Sequence, residues 1–225
     1  LRDSLFAGRG GSNLLLPRRD LGALFPEPAA HWLQQRGHAV HLGRRVQRLA
    51  QGDGSGWLLD GEPFDAVLLA TGSHEAARLA AAAETPHTSH TPALQAWAAT
   101  AQALHHGAIA TVYAELPGAP AALLAHPMLA LRPRAGRPAQ FVFDRARLNG
   151  TPGVLAFVVS AFEGDRAQLE REVLAQAAED LALPGLRLLQ TVIEKRATFA
   201  CTPALARPPR HIAPGLQACA DYVAG

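Results

Sequence analysis

The chain has 225 residues, of which 48% are hydrophobic and 18% are charged, and its formal net charge at pH 7 is +2. This length accommodates one large domain or two modest ones. The small net charge, the scattered basic residues and the 6% content of aromatic residues argue against a nucleic-acid partner. No apolar run reaches about 18 residues, which excludes a membrane-spanning helix. The two cysteines and the histidines have spacings that predict neither a disulfide scaffold nor a metal site.

The first quarter of the chain mixes loop, helix and strand patterns. The glycine-rich stretch 8–13 lacks the third glycine of a dinucleotide fingerprint and a strand before it, so it predicts a surface loop. A helix is predicted over 20–37, with its interior beginning at about Pro26 or Pro28 and a glycine, Gly37, ending the periodic pattern. Residues 38–42 and 44–50 alternate like two short strands, and the glycine-rich turn before 57–59 predicts a hairpin.

A continuous apolar run over 65–72, with the sequence DAVLLATG, is typical of a buried parallel strand that ends in a glycine. Helices rich in small residues are predicted over 74–83 and 92–104. The polar connection between them, 85–91, is interpreted as a crossing between domains.

The second half of the chain has a different pattern. Strands joined by Gly/Pro-containing loops are predicted at 109–116, 128–132, 140–144 and 154–162. An amphipathic helix over 165–183 and a strand over 186–193 follow. Asp144 and Arg145, at the end of an aromatic strand, are interpreted as a structural ion pair. The predicted fold class is therefore α+β, a mostly antiparallel sheet backed by helices.

The last stretch combines charge, proline and a short apolar segment. Charged residues 194–196 follow the apolar strand, and prolines then exclude a helix up to Pro214. Residues 215–219 predict a short buried strand with Asp221 at its carboxyl end. In open α/β sheets that end binds ligands, so Asp221 is a candidate acceptor for a ligand hydroxyl. The alternative is that Asp221 caps a turn or helix.

Four motifs in order along the chain carry a family resemblance. They are LLLPR (14–18), FVFDR (141–145), EKRATF (194–199) and GL-x-A-x-x-DYV (215–223). Together they closely resemble the squalene-associated FAD-dependent desaturases, or hydroxysqualene dehydroxylases, of the flavin amine oxidase and phytoene desaturase superfamily. Ala220 stands where the superfamily usually has glycine. The chain looks like a fragment without the N-terminal G-x-G-x-x-G unit and the C-terminal helix that faces the flavin.

The resemblance implies FAD as cofactor and a division of the chain into domains. Residues 1–84 would be part of a Rossmann-like FAD-binding domain with the entry to the substrate domain. Residues 85–200 would form the substrate domain, with its antiparallel sheet, and 201–225 would return to the FAD domain.

The resemblance also implies roles for particular residues. The residues expected to bind FAD are Val46, Ala70, Thr71, Gly72, Asp221 and Tyr222. The residues expected to bind the substrate are Phe141, Phe143, Lys195, Arg196 and Phe199. Several of them have a structural alternative, since valine and phenylalanine also build cores, small residues allow close helix packing, and exposed charges can link two domains. No residue is identified as the catalytic acid.

The implied activity is that of an oxidoreductase acting on a long apolar isoprenoid of the hydroxysqualene or squalene type, in a bacterial hopanoid-precursor pathway. Hydride would pass through flavin N5. The alternatives are an amine oxidase or carotenoid-precursor desaturase on the same scaffold, or a non-catalytic apolar-ligand module. The chain by itself is expected to be inactive and without stoichiometric FAD. A cytoplasmic location is expected, and peripheral contact with the inner membrane stays open.

Overall fold

The structure is a computed structural model with two compact units. The first unit contains the chain up to Val40 together with Ala108–Lys195. The second contains His41–Gly107 and the chain from Arg196 onward. The residues that the structure describes are 6, 8–52, 54, 56–86, 91–119, 121–148 and 150–224.

The helices and strands are numbered here in chain order. The helices are α1 (Leu21–Leu24), α2 (Pro26–Gln35), α3 (Ser73–Ala81), α4 (Thr91–Gln102) and α5 (Arg166–Asp180), with a 3₁₀ turn at Arg145–Arg147. The strands are β1 (Leu49–Gln51), β2 (Trp57–Leu59), β3 (Glu62–Phe64), β4 (Val67–Leu69), β5 (His106–Glu115), β6 (Met128–Ala130), β7 (Phe141–Asp144), β8 (Val154–Ser160), β9 (Arg187–Phe199), β10 (His211–Ala213) and β11 (Leu216–Ala218).

The first unit is built on a five-stranded sheet with the order β6-β7-β8-β5-β9. The pairs β6–β7, β7–β8 and β8–β5 are antiparallel. Side chains alternate between the two faces of each strand, and one face contributes to a core shared with α5. Asp165 caps the start of α5 by accepting a hydrogen bond from the Gln168 N–H (2.8 Å). The predicted α+β fold class is confirmed.

Strand β9 is longer than the sequence predicted, because it continues through the charged motif 194–196 to Phe199. It lies at the edge of the sheet. All three charged side chains of the motif are exposed, and an edge strand tolerates them because one of its sides faces solvent. The charged residues 194–196 therefore remain within the strand.

Three predictions near the start of the chain are corrected. The helix expected over 20–37 is split into α1 and α2 at Phe25, and α2 begins at Pro26, one of the two starts expected for the helix interior. Residues 38–42 form no strand. Of the strand expected over 44–50, only its end is regular, in β1. The alternating pattern here arises in an extended segment without a strand partner.

In the second unit, β1, β2 and β3 form the predicted antiparallel hairpin and its extension. Strand β4 pairs in parallel with β11, which itself pairs antiparallel with β10. The parallel strand predicted at 65–72 is thus confirmed in the shorter range of β4, but it is buried on one face only, because Leu68 is exposed between the buried Val67 and Leu69. Helices α3 and α4 pack together and contribute to the same core. Residues 87–90 of the expected crossing lie outside the described residues.

The unit boundaries differ from the ranges expected for the domains. Residues up to Val40 belong with the antiparallel sheet and not with 41–84. Residues from 85 to Gly107 belong to the second unit, as do 196–200. The assignment of flavin and substrate roles to these ranges stays a prediction.

Asp144 is fully buried at the end of β7 and organises a loop of the first unit. Its Oδ2 accepts hydrogen bonds from the N–H groups of Leu123 (2.7 Å) and Leu124 (2.8 Å). Its Oδ1 accepts one from Ala146 (3.0 Å), at the start of the 3₁₀ turn. The carboxylate of Asp144 therefore anchors the backbone at Leu123, Leu124 and Ala146. The expected ion pair with Arg145 does not account for this role.

Replacing Asp144 by alanine should destabilise the first unit, because three backbone donors, of which that of Leu124 is buried, lose their acceptor. The expected loss is about 2–4 kcal/mol of unfolding free energy. Urea unfolding followed by far-UV circular dichroism measures it. The exposed carboxylate Glu163 in the same unit supplies the control, since Glu163→Ala should change stability by no more than about 0.5 kcal/mol. Equal effects of the two substitutions would contradict the anchoring role.

Candidate functional site

The candidate site of the second unit lies at the carboxyl edge of two adjacent parallel strands. Strands β4 and β11 run in the same direction, with Leu69 beside Ala218 at their ends. The predicted segment Ala70–Gly72 leaves β4 at this edge, and Asp221 follows β11 at the same edge. Residues from the two separate segments of the second unit are thereby brought to the edge at which open α/β sheets bind ligands.

A groove of about 450 Å³ opens beside β4. It contains three of the predicted cofactor residues, Val46, Ala70 and Thr71. Its other lining residues are Arg44, Arg45, Leu59, Val67, Leu68, Leu69, Glu75, Arg78 and Leu79. The groove thus has an apolar floor and a charged rim.

Two charged residues that the sequence analysis did not identify position Val46. Arg78 on α3 donates hydrogen bonds to the backbone carbonyls of Val46 (3.0 Å) and Gln47 (3.1 Å). Asp60 accepts hydrogen bonds from the N–H groups of Gln47 (2.9 Å) and Arg48 (2.8 Å). These bonds, that of Arg48 above all, hold the pKa of Asp60 below its usual 3.8. The irregular segment 46–48 is therefore held by two side chains that bond to its backbone, although it belongs to no sheet.

The charged rim of the groove has an excess of arginine. Glu75 pairs with Arg45 (2.6 Å) and with Arg78 (3.0 Å). The hydrogen bond from Arg45, followed by that from Arg78, lowers the pKa of Glu75 from its usual 4.5, so Glu75 is ionised at neutral pH. Arg44 pairs with Glu62 at 3.4 Å, with both side chains partly exposed. Exposed guanidinium groups of this kind bind phosphate oxygens well.

The groove has features that suit part of a dinucleotide. The Leu68 side chain is 59% exposed although its neighbours in β4 are buried, which leaves an apolar surface for a flat ring. Gly72 is the N-cap of α3, which has no side-chain cap, and a Cβ at Gly72 would contact no protein atom within 4 Å. The first N–H groups of a helix favour phosphate. Ring, ribose and phosphate would each meet a compatible surface.

Asp221 and Tyr222 have different environments although they are neighbours. Asp221 is exposed, whereas Tyr222 is 2% exposed and packs in the core of the second unit. Arg207 donates hydrogen bonds to the backbone carbonyls of Asp221, Tyr222 and Val223 and so holds this turn. Within a proline-rich segment, no sequence signal marked Arg207 for this role. Asp221 is free to accept a ligand hydroxyl, while Tyr222 is part of the core.

A second candidate site lies in the first unit, on the face of the sheet opposite α5. A cavity of about 550 Å³ contains Phe143 and neighbouring side chains of β5 and β8. Part of its lining comes from the segment 16–22, which includes Leu16, Pro17 and Leu21. Phe141 alternates with buried Val142 and so lies on the same face as Phe143. Phe141 and Phe143 therefore share one face of the sheet, although only Phe143 lines the cavity.

An adjoining cavity of about 440 Å³ has Leu16 and Leu148 in common with the first. Its remaining lining residues are Leu14, Leu15, Arg18, Pro127 and Arg147. Leucine side chains dominate this lining. The two cavities together offer an extended apolar surface on one side of the first unit.

The other predicted substrate residues do not line these cavities. Lys195 and Arg196 are exposed on β9. Phe199 packs against the core of the second unit, and the guanidinium of Arg207 lies 5.2 Å from the centroid of its ring. Their predicted contact with substrate stays a prediction.

Comparison with known proteins identifies the family. A family model described as flavin containing amine oxidoreductase matches residues 3–190. The chain belongs to this family. Its membership confirms the superfamily and the flavin cofactor, FAD, that the sequence motifs predicted. No curated protein sequence matches the chain significantly.

Two solved structures have a similar fold. Reduced UDP-galactopyranose mutase superposes with a TM-score of 0.56 at 13% identity, over 81% of this chain and 40% of that one. An oxidoreductase from Methanosarcina mazei superposes with a TM-score of 0.57 at 15% identity, over 85% of this chain and 46% of that one. This member of the family therefore spans less than half the length of these structures.

In the part of the chain that the structure describes, no helix is long and apolar enough to cross a membrane.

Tyr222 should make the second unit sensitive to alkali. Burial of the phenol, and secondly the charge of Asp221, raise the pKa of Tyr222 from 10.0 to about 12. Its contribution to stability is complete below the unfolded value of 10.0 and is lost as pH rises through about 12. Tyr222→Phe should abolish this loss. At pH 7 it should leave stability unchanged or slightly higher, since the buried hydroxyl has no hydrogen-bond partner among the described residues.

Urea unfolding at several pH values up to about 11, followed by fluorescence of the buried Trp57 and Trp97, measures this dependence. Tyrosinate absorbance gives a direct check, because the chain has only two tyrosines. In the Tyr222→Phe variant only Tyr113 can ionise. A late ionisation step that persists in this variant would contradict the assignment.

Proposed function

We propose that the protein is an FAD-dependent oxidoreductase whose substrate is a long apolar isoprenoid of the hydroxysqualene or squalene type. The observation that carries the proposal is the shared carboxyl edge of β4 and β11, which brings together the motif Ala70–Gly72 and Asp221. Family membership supports the flavin, and the apolar cavities of the first unit support the substrate class.

The groove of the second unit would hold the adenosine end of FAD. Val46 and Leu68 would pack against the adenine ring, and their apolar side chains already line the groove. Arg44 and Arg45 would bind the pyrophosphate together with the N–H groups at the start of α3. Asp221 would accept a hydrogen bond from a flavin ribitol hydroxyl. When bound, the flavin supplies hydride transfer at N5.

The lining of the two cavities in the first unit favours an apolar substrate. Aromatic and aliphatic side chains dominate them, and their charged residues are Arg18, Arg19, Asp20, Arg145 and Arg147. Four of these five charges are positive, which disfavours a cationic amine. A carboxylate or aromatic cage is the usual means of selecting a cation. A long hydrocarbon requires length and exclusion of water instead, and each methylene that it buries contributes about 0.8 kcal/mol.

Asp221→Ala in the full-length flavoprotein should weaken FAD binding by about 1–3 kcal/mol, because one hydrogen bond to a ligand hydroxyl is lost. The stability of the cofactor-free protein should not change, since Asp221 is exposed. Asp65→Ala is the matched control, because Asp65 is also exposed but lies before the amino end of β4. Unchanged FAD affinity with a destabilised apoprotein would identify Asp221 as a structural cap.

Substrate class is tested with the full-length enzyme under anaerobic conditions. The flavin spectrum is recorded after addition of hydroxysqualene or squalene in detergent, and separately after addition of a monoamine or polyamine. The proposal predicts product formation or a flavin redox change with the isoprenoid and none with the amines. Rapid flavin reduction by an amine, without isoprenoid chemistry, would replace the proposal by the amine oxidase alternative.

A further inference from the structure

Three side chains form a row across the open face of the sheet in the first unit. Ala156 on β8 is directly opposite Phe143 on β7. On its other side, Ala156 is directly opposite Tyr113 on β5. The methyl group of Ala156 therefore lies between two aromatic side chains. All three residues line the 550 Å³ cavity.

The burial of Ala156 has an unusual origin. Its neighbours Leu155 and Phe157 point to the other face and belong to the core shared with α5. Ala156 belongs to neither of the two cores, yet it is only 4% exposed. Its methyl group lies on the cavity side, between Phe143 and Tyr113, which line the same cavity. Ala156 is therefore at the floor of the cavity.

The geometry of the sheet gives the dimensions of this floor. Adjacent strands are about 4.7–4.9 Å apart, so Phe143 and Tyr113 start from backbones about 9–10 Å apart. Between them the sheet is covered only by a methyl group. The result is a slot with aromatic walls, about as wide as one hydrocarbon chain. In the next row across the sheet, Val158 lies between Phe141 and Thr111. Its side chain is larger than that of Ala156 and leaves less space above the strand.

We propose that Ala156 is a specificity-determining residue, which admits a methyl-branched, unsaturated hydrocarbon chain between Phe143 and Tyr113. This inference rests on the proposed function, since it assumes that the cavity of the first unit binds the substrate. A larger side chain at position 156 fills the slot from below and displaces the branched chain. An unbranched, saturated chain is narrower and loses less when the slot is partly filled.

The inference is tested in the full-length flavoprotein with two replacements of graded size, Ala156→Val and Ala156→Leu. Ala130→Leu is the matched control. Ala130 is directly opposite Phe141, and therefore on the same face of the same sheet, but it is exposed and does not line the cavity. Binding of radiolabelled squalene and of n-hexadecane is measured by equilibrium dialysis at one fixed detergent concentration.

Squalene binding should weaken by about tenfold or more in Ala156→Leu and by a smaller factor in Ala156→Val. Binding of n-hexadecane should fall less, so the ratio of the two affinities shifts toward the unbranched chain. Ala130→Leu should bind both ligands like the wild type. FAD content and circular dichroism should be unchanged in all three variants, and Ala156→Val decides the question if Ala156→Leu fails to fold.

The possible outcomes distinguish a failure of the role of Ala156 from a failure of the proposed function. If the wild type binds squalene and the folded Ala156 variants bind it equally well, the role of Ala156 is wrong and the proposed function stands. An equal loss for both ligands also overturns the role, because it indicates a general blockage without selection by shape. If the wild type itself binds no squalene, the proposed function falls and this inference falls with it.

Discussion

The parallel pairing of β4 with β11 is the interaction on which the candidate cofactor site depends. It joins the first part of the second unit to the returning end of the chain, at a considerable cost in loop-closure entropy. Two indole groups reinforce it, since Trp57 donates a hydrogen bond to the carbonyl of Pro214 (2.9 Å) and Trp97 donates one to that of Pro209 (2.7 Å). The proline-rich segment cannot form a helix, and these bonds satisfy carbonyls that it would otherwise leave unpaired.

In the first unit, the two faces of one sheet are put to different uses. One face is packed against α5 and is filled by buried aliphatic and aromatic side chains. The other face alternates with it residue by residue, so its side chains are left to line cavities. Residues of the core and residues of the cavity lining therefore alternate along β7 and β8. The buried carboxylate of Asp144 adds a further constraint, since it anchors the loop at Leu123 and Leu124 to the end of β7.

The two candidate sites have complementary chemistry. The groove beside β4 is rimmed with arginine and suits an anionic dinucleotide, whereas the cavities on the sheet are lined mainly by leucine and aromatic residues. In flavoenzymes the cofactor supplies the redox chemistry, and the protein orients the substrate and excludes water. A groove with an arginine-rich rim in one unit and apolar cavities in the other fit this division of labour. The chain spans less than half the length of the solved structures of similar fold, so the activity of the whole protein stays a proposal.

The sequence by itself determined the elements whose signal is local. Glycine-bounded apolar runs predicted β4 and β11, helical periodicity predicted α5, and short motifs predicted the flavin family. The family resemblance also selected Val46, Ala70 and Asp221 and assigned them to one FAD-binding domain, but no local pattern shows which strands bring them to one sheet edge. Only the tertiary structure decided the pairing of β4 with β11, the contacts of Arg78, Asp60 and Arg207, and the slot above Ala156. These depend on partners far away in sequence, and no local pattern records which distant strand or carbonyl a residue will meet.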